Sequence, residues 1–412
     1  MSHETAPPLS GVRILDLSRI LAGPFATQLL ADLGAEVIKV ERPDGGDDTR
    51  GWGPPFVRGA DGRPGDAAYF LSANRTKKSI CIDITKPAGA ELVRELAAKS
   101  DVLVENFKVG GLKKYGLDYP SVAAVAPRIV YCSITGFGQT GPLADRAGYD
   151  FLIQAMSGLM SVTGQPDGAP GAEPMKTGVA VSDLFTGLYA STAILAALRR
   201  AEATGRGDHI DLALLDCQIA ALANQTANYL VSGVAPGRLG NAHPNIVPYQ
   251  VFPAADGHIV VACGADRQFA SLSAAIDRPD LAEDARFATN AGRVANRSAL
   301  VPLLSDIFKR RPPADWIRAL EAAGVPCGPI QTIDQALGHP QISSRGLTAD
   351  IEGTGTLVGS PVRLAEASLA PPAAPPRLDA DASEILRDTL GMDGARIEDL
   401  RLGGVIGARA GD

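Results

Sequence analysis

Val12-Arg-Ile-Leu-Asp-Leu17 is followed by Gly23-Pro24 and a helical stretch over 25–33 that stops at Gly34, and then by Glu36-Val-Ile-Lys-Val-Glu41. The two flanking runs are short, apolar and rich in β-branched residues. The segment between them has the length and punctuation of one helix. This strand–helix–strand unit decides the fold class, because strands joined by a crossover helix pair in parallel. The alternation continues outward. Ser79-Ile-Cys-Ile-Asp83 reads as a strand, 89–99 as a helix, and Asp101-Val-Leu-Val-Glu105 and Ile129-Val-Tyr-Cys-Ser-Ile134 as further strands. The expected fold is α/β, with a parallel sheet covered by helices.

Beyond this, 183–232 reads as mostly helical, interrupted by Thr204-Gly-Arg-Gly-Asp208 and the alternating strand His209-Ile-Asp-Leu-Ala-Leu214. Residues 233–250 read as loop, and 251–263 as a hairpin turning at Asp256-Gly257. Helices punctuated by prolines then run to about 338, the pattern of a smaller α+β domain. The last 70 residues return to short strands, Leu357-Val-Gly and Val362-Arg-Leu, with an extended Pro/Ala-rich crossing at 371–376 and a helix over 381–390. The expected division is 1–232, 233–340 and 341–412.

The 412 residues are 45% hydrophobic and 21% charged with a net charge of −7, a globular composition that disfavours nucleic acid and anionic membrane as partners. Cys81, Cys132, Cys217, Cys263 and Cys327 are spread through apolar runs without metal-ligand spacing, which reads as reduced core thiols. The N-terminal Met-Ser-His-Glu-Thr-Ala-Pro-Pro has no apolar signal core, and no uncharged apolar stretch is long enough to span a bilayer. A cytoplasmic, soluble protein without a metal is expected.

Gly136-Phe-Gly-Gln-Thr-Gly141 has dinucleotide-loop spacing, but Pro142 follows and no helix opens there. No P-loop, HExxH or GxSxG occurs, and the five histidines are scattered. Arg42, Arg75-Thr-Lys-Lys78, Lys108, Lys113 and Lys114 gather at strand ends. In a parallel sheet, ligands bind outside the carboxyl ends of the strands, so these cations suit an elongated phosphorylated ligand. Asp183 stands just before the small, apolar run Gly187-Leu-Tyr-Ala-Ser-Thr-Ala-Ile-Leu-Ala-Ala197. Ser182 and Asp183 either cap that helix or hold an acid at its N-terminus for chemistry.

Leu9-Ser-Gly-Val-Arg-Ile-Leu-Asp-Leu17, Leu21-Ala-Gly-Pro24, Leu33-Gly-Ala-Glu-Val-Ile-Lys-Val-Glu-Arg42, Asn74-Arg-Thr-Lys-Lys-Ser79, Val104-Glu-Asn-Phe107 and Gly324-Val-Pro-Cys-Gly-Pro329, in this order, resemble the class III CoA-transferases. That family includes formyl-CoA, carnitine and dicarboxylate CoA-transferases, with an acyl-CoA racemase branch. Gly46-Asp-Asp-Thr-Arg50, Trp52-Gly-Pro-Pro-Phe56, 131–142, Arg146-Ala-Gly-Tyr-Asp150 and Ile246-Val-Pro-Tyr-Gln250 are similar to the succinyl-CoA:glutarate branch.

The resemblance implies a catalytic Asp183, since Gly178 to Gly187 matches the family motif (Gly/Ala)-x-x-x-x-Asp-x-x-(Ser/Thr)-Gly. It implies coenzyme A contacts at the backbone of Leu21 and Ala22, at Arg42, at Ile82, Asp83, Ile84 and Thr85, at Asn106, Phe107, Lys108 and Lys114, and at Arg146, Tyr149 and Asp150. It also implies a Rossmann-like large domain made of N- and C-terminal parts, an interlocked homodimer, and CoA transfer from an acyl-CoA such as succinyl-CoA to a dicarboxylate such as glutarate through aspartyl anhydride and aspartyl-CoA thioester. Two departures stand out: Leu21 replaces a Gln of formyl-CoA transferases, and Lys114 replaces a frequent Arg. The racemase alternative requires a His where this chain has Tyr149, and a phenol, with an intrinsic pKa near 10, is a poor base for moving an α-proton. Gly240-Asn-Ala-His-Pro-Asn245 is a lid candidate, and Arg19, Arg50 and Arg146 are candidates for a substrate's second carboxylate.

Overall fold

The structure, a computed structural model, describes residues 6–58 and 64–407, so the N-terminal Met-Ser-His-Glu-Thr read above falls outside the described residues. The chain divides into two compact units. The larger contains the chain up to Leu159, Lys176–Val231 and the part from Arg345 onward; the smaller contains Met160–Met175 and Ser232–Ser344.

In the larger unit the elements that build the site are β1 (Arg13–Asp16), α1 (Ala22–Asp32), β2 (Glu36–Glu41), β3 (Lys78–Cys81), α2 (Pro87–Ala97), β4 (Val102–Glu105), β5 (Val130–Thr135), α3 (Asp150–Met156), α4 (Val181–Thr204), β6 (Asp208–Ala213), α5 (Leu214–Ala221) and α6 (Asn224–Ser232). The six strands form one sheet in the order β3-β2-β1-β4-β5-β6, with every neighbouring pair parallel. This is the doubly wound order, and its direction reverses between β1 and β4. The α/β expectation is met.

Both faces are dry, which is why the strands read as mostly apolar runs. On one face Ile14, Val37, Val102, Val104 and Cys132 pack under Ala26, Leu30 and Ala31 of α1 and Ala190, Ile194 and Leu198 of α4. On the other, Leu15, Ile38, Val40, Ile80 and Leu103 pack under Leu92, Val93 and Leu96 of α2. Each fully buried aliphatic side chain here contributes about 1.5–3 kcal/mol.

After the smaller unit the chain returns through the antiparallel pair β10 (Thr348–Ile351) and β11 (Gly355–Val358) to two helices, α10 (Ala382–Leu390) and α11 (Gly394–Leu402). Ile385, Leu386, Ile397 and Leu400 complete the core on the α2 face. The same returning segment covers the open edge of β3. Asp381 and Asp379 accept the backbone N–H groups of Ser79 and Cys81 at 2.8 and 2.7 Å, and Asp83 N–H donates to Val405 C=O at 2.9 Å. Val362-Arg-Leu is not a strand, contrary to expectation. Its alternation meets no partner strand, and Arg363 instead donates to the carbonyls of Arg345 and Gly346.

The smaller unit is built on the expected hairpin, β7 (Tyr249–Ala254) with β8 (Gly257–Ala262), extended by β9 (Cys327–Gly328). Helices α7 (Asp266–Ala275), α8 (Arg297–Phe308) and α9 (Pro313–Ala322) close its core around Phe252, Phe269, Phe308 and Trp316. The lid candidate 240–245 belongs to this unit, where Gly240 N–H donates to Gly164 C=O at 3.0 Å.

The 24-residue α4 is long and apolar enough to cross a membrane by length and composition. Its uncharged run, bounded by Asp183 and Arg199, is shorter than a bilayer span, as expected. Its inner face packs on α1 and β5 in the core.

Candidate active site

At the point where strand order reverses, two turns face each other. One follows β1 and runs through Ser18-Arg-Ile20 into α1; the other follows β4 and runs through Asn106, Phe107 and Lys108. Two cavities open there. The larger, about 780 Å³, is lined by Arg42, Ile82, Asp83, Ile84, Thr85, Phe107, Lys108 and Lys114 among others. The smaller, about 180 Å³, is lined by Leu21, Ala22, Asn106, Phe107, Lys108, Arg146, Tyr149, Asp150 and Asp183 among others. Each residue named from the resemblance thus lines one cavity or the other, and Arg19, Phe107 and Lys108 line both.

The larger cavity presents three exposed cations, Arg42, Lys108 and Lys114. Arg42 pairs with Asp48 at 2.6 Å, while Lys108 and Lys114 form no ion pair among the described residues. Lys114 Nζ instead lies 4.7 Å from the centre of the Tyr115 ring. A cleft of this length with exposed cations fits a polyanionic, partly apolar ligand such as coenzyme A. The basic string Arg75-Thr-Lys-Lys78 takes no part, contrary to the strand-end expectation. Arg75 pairs with Asp32, Lys77 with the buried Asp16 at 3.1 Å, and Lys78 with Glu36 and Glu384. Burial pushes the Lys77 ammonium down to about 8 despite Asp16 beside it.

Asp183 is the third residue of α4 and only 8% exposed. Its carboxylate accepts no hydrogen bond among the described residues. The capping reading fails for it. The N-cap position is Ala180, and the helix's first N–H groups are met from another element, by Asp150 Oδ1, which accepts from Ser182 N at 2.8 Å. The Ser182 hydroxyl donates to Gln218 at 2.8 Å instead. Gln154 holds Asp150 at 2.6 Å and ties it to Thr177, whose N–H donates to the Gln154 side-chain oxygen at 2.9 Å. A helix N-terminus favours an ionised carboxylate. Burial opposes it, then the like charge of Asp150, and together they push Asp183 up to about 7. An unpaired carboxylate with a raised pKa is a strong oxygen nucleophile once ionised.

Gly187, one turn further along α4, has a packing reason. A Cβ there would lie 2.8 Å from Ala22 C=O and 3.0 Å from Phe25, so only glycine lets α4 approach the start of α1. Gly136 of the GxGxxG string likewise packs against Gly148, where a Cβ would come within 2.6 Å of its Cα. That string therefore shapes the cavity wall beside Tyr149 without opening a helix.

Of the three arginines considered for a second carboxylate, Arg50 is ruled out by its surroundings. It is buried, bonded to both oxygens of Glu41 at 2.7 and 2.8 Å and to Asp66 at 2.7 Å, and lies over the Phe70 ring. Arg19 pairs with Asp48 at 3.2 Å, and Arg146, over the Phe137 ring, is in no ion pair among the described residues.

Several residues passed unremarked in the sequence. Glu105, at the end of β4, accepts Phe107 N–H at 2.8 Å, and its burial pushes it up to about 7 against the hydrogen bonds from Ser133 and Phe107. Tyr69, half-buried, is pushed up by burial and then by the charges of Asp183, Asp150 and Asp47. Asp47 accepts the Ile20 N–H of the turn after β1, and Gln154 holds Asp150 and the Thr177 N–H ahead of α4. Single side-chain identities gave no signal for any of them, because their roles depend on partners far along the chain.

Residues 9–382 match the model of CoA-transferase family III. The chain is 50% identical over 386 residues to a succinate–glutarate CoA-transferase of Agrobacterium fabrum, covering 93% of this chain and 96% of the relative. It is 45% identical over 403 residues to a human succinyl-CoA:glutarate CoA-transferase, covering 97% and 90%. A crystal structure of a CaiB/BaiF family protein from Brucella suis superposes with a TM-score of 0.83 at 50% identity, covering 93% of this chain and all (100%) of that one. The chain belongs to CoA-transferase family III and is a transferase enzyme.

Proposed function

We propose that this enzyme moves CoA from succinyl-CoA to a dicarboxylic acid, glutarate foremost, with Asp183 as covalent nucleophile. The observation that carries the reading is the buried, unpaired Asp183 carboxylate in a cavity that shares Arg19, Phe107 and Lys108 with the basic cleft. The names of the relatives in Agrobacterium fabrum and human support the choice of acids.

Exchange between two acids is close to thermoneutral, so the enzyme must store the activated acyl group without an external energy source. The Asp183 carboxylate attacks the thioester carbonyl of succinyl-CoA, giving a succinyl–aspartyl anhydride and CoA thiolate. The thiolate attacks the aspartyl carbonyl, leaving aspartyl-CoA thioester and releasing succinate. Glutarate then attacks the thioester, forming a glutaryl–aspartyl anhydride and freeing the thiolate. The thiolate finally attacks the glutaryl carbonyl, giving glutaryl-CoA and free Asp183. Arg42, Lys108 and Lys114 would hold the phosphates, and the cavity walls exclude water that would hydrolyse either intermediate. Arg19 and Arg146 remain as cations for the distal carboxylate.

An interlocked homodimer in a cytoplasmic setting belongs to the same proposal. Phe185, Leu188, Tyr189 and Leu195 on the outer face of α4, with Tyr229, Leu230 and Val231 on α6, expose more apolar surface than an isolated chain usually leaves to water. Mass spectrometry of the protein incubated with succinyl-CoA tests the chemistry. A CoA or succinyl adduct on Asp183 is expected, and hydroxylamine should displace the CoA or succinate and leave an Asp183 hydroxamate. Full transferase activity in Asp183→Ala would overturn it.

A further inference from the structure

Lys39 and Asp47 form an ion pair at 2.9 Å with no exposed side-chain surface on either partner. Burying two charges is costly, and a well-packed apolar pair often serves stability as well or better. What the pair touches gives another reason for it. Lys39 Nζ donates to Ser18 C=O at 2.9 Å, and Ile20 N–H donates to both Asp47 oxygens at 3.3 Å. Between them, Asn106 takes both polar groups of the Arg19 backbone, accepting its N–H at 2.9 Å and donating to its C=O at 2.6 Å. Among the described residues these four backbone groups have side-chain partners only.

The segment held this way is under strain. Ile20 has a φ of +73°, a left-handed conformation that a β-branched residue rarely adopts. Two residues later the chain enters α1, and Leu21 and Ala22 at that entry line the cavity that holds Asp183. Asp47 also starts the short helical turn Asp48–Gly51, accepting Thr49 N–H at 3.0 Å, and Asp48 in that turn binds both Arg19 and Arg42.

We propose that Asp47, backed by Lys39, is a positioning residue for acyl transfer: the buried pair holds Ser18–Ile20 in its strained shape so that the Leu21–Ala22 backbone is pre-set beside Asp183. This rests on the transferase reading above. A pre-set backbone of this kind acts on the chemical step more than on donor binding, since displacements near 1 Å cost about 100-fold in rate.

The test compares wild type, Asp47→Asn, Ile20→Gly and the double variant Lys39→Met/Asp47→Leu, using succinyl-CoA and glutarate. In Asp47→Asn, kcat should fall at least about tenfold while KM for succinyl-CoA stays within about threefold. The double variant replaces the charges with apolar bulk; its melting temperature should return to near wild type while kcat stays low. Ile20→Gly adopts the positive φ without strain while the pair still holds its backbone, so its kcat should fall far less than that of Asp47→Asn. Wild-type kcat in the double variant would overturn the proposal, as would a loss in Ile20→Gly as large as in Asp47→Asn, or a rise in KM that accounts for the whole loss in Asp47→Asn. Absence of transfer by the wild type itself would instead sink the function on which it rests.

Discussion

Asp150 accepts the backbone N–H of Asp183 at 3.4 Å, so the residue that caps α4 also places a like charge against the carboxylate proposed as nucleophile. One side chain thereby fixes the position of Asp183 and raises its pKa.

The ionised form of Asp183 is the nucleophile, so kcat/KM for succinyl-CoA should rise with pH through about 7. Asp150→Asn keeps an oxygen for the Ser182 N–H but removes the charge, and it should move this limb to lower pH. A pH series from about 5 to 9 on both proteins checks it. An unmoved limb in Asp150→Asn would count against the pairing.

Stability should show the same group with the opposite consequence. Below pH 3.8 Asp183 is protonated in folded and unfolded chains alike. As pH rises from there to about 7 only the unfolded chain loses the proton, so the folded state loses stability across that window and not above it. Asp183→Asn should therefore be more stable than wild type at pH 8, by at most about 4 kcal/mol, and nearly equal to it at pH 4. Urea unfolding at the two pH values measures the difference.

Arg42→Met should raise KM for succinyl-CoA about tenfold with kcat changed less than about twofold, because the cation binds ground state and transition state alike. The salt dependence of KM should flatten in the variant, since exposed charge pairs are screened. Steady-state kinetics at two ionic strengths reads both effects.

Gly187→Ala places a methyl group 2.8 Å from Ala22 C=O and should cost about 1–3 kcal/mol of stability. Because the displaced element is the start of α1, kcat should fall as well. Thermal melting and kinetics on the same preparation check the two together.

The sheet was legible in the sequence because its signal is local. Strands β1, β2, β4 and β5 are mostly apolar, with few polar positions such as Lys39, and their burial on both faces leaves no alternation to misread. The returning strand Val362-Arg-Leu misled, since a three-residue pattern says nothing about whether a partner strand exists. At the site, the ordered motifs pointed to residues that the fold brings to the two cavities. Their interactions were not legible. Arg19 and Arg50 look equivalent in sequence, yet Glu41 and Asp66 occupy Arg50 and leave Arg19 at the cavity. The partner that caps α4 lies 32 residues before Ser182, and no local pattern carries that distance.

Among the described residues the edge of β3 is closed by Asp379, Asp381, Val405 and Gly407, which lie about 300 residues further along the chain. While the first half and the inserted smaller unit leave the ribosome, the Ser79 and Cys81 amides stay unpaired, and an unpaired strand edge is a template for any extended chain nearby. Nascent copies are consequently most exposed to mispairing before residues 379–407 emerge. Removing residues 379–407 would make that transient exposure permanent, so this later-made segment is the sheet's own guard against aggregation.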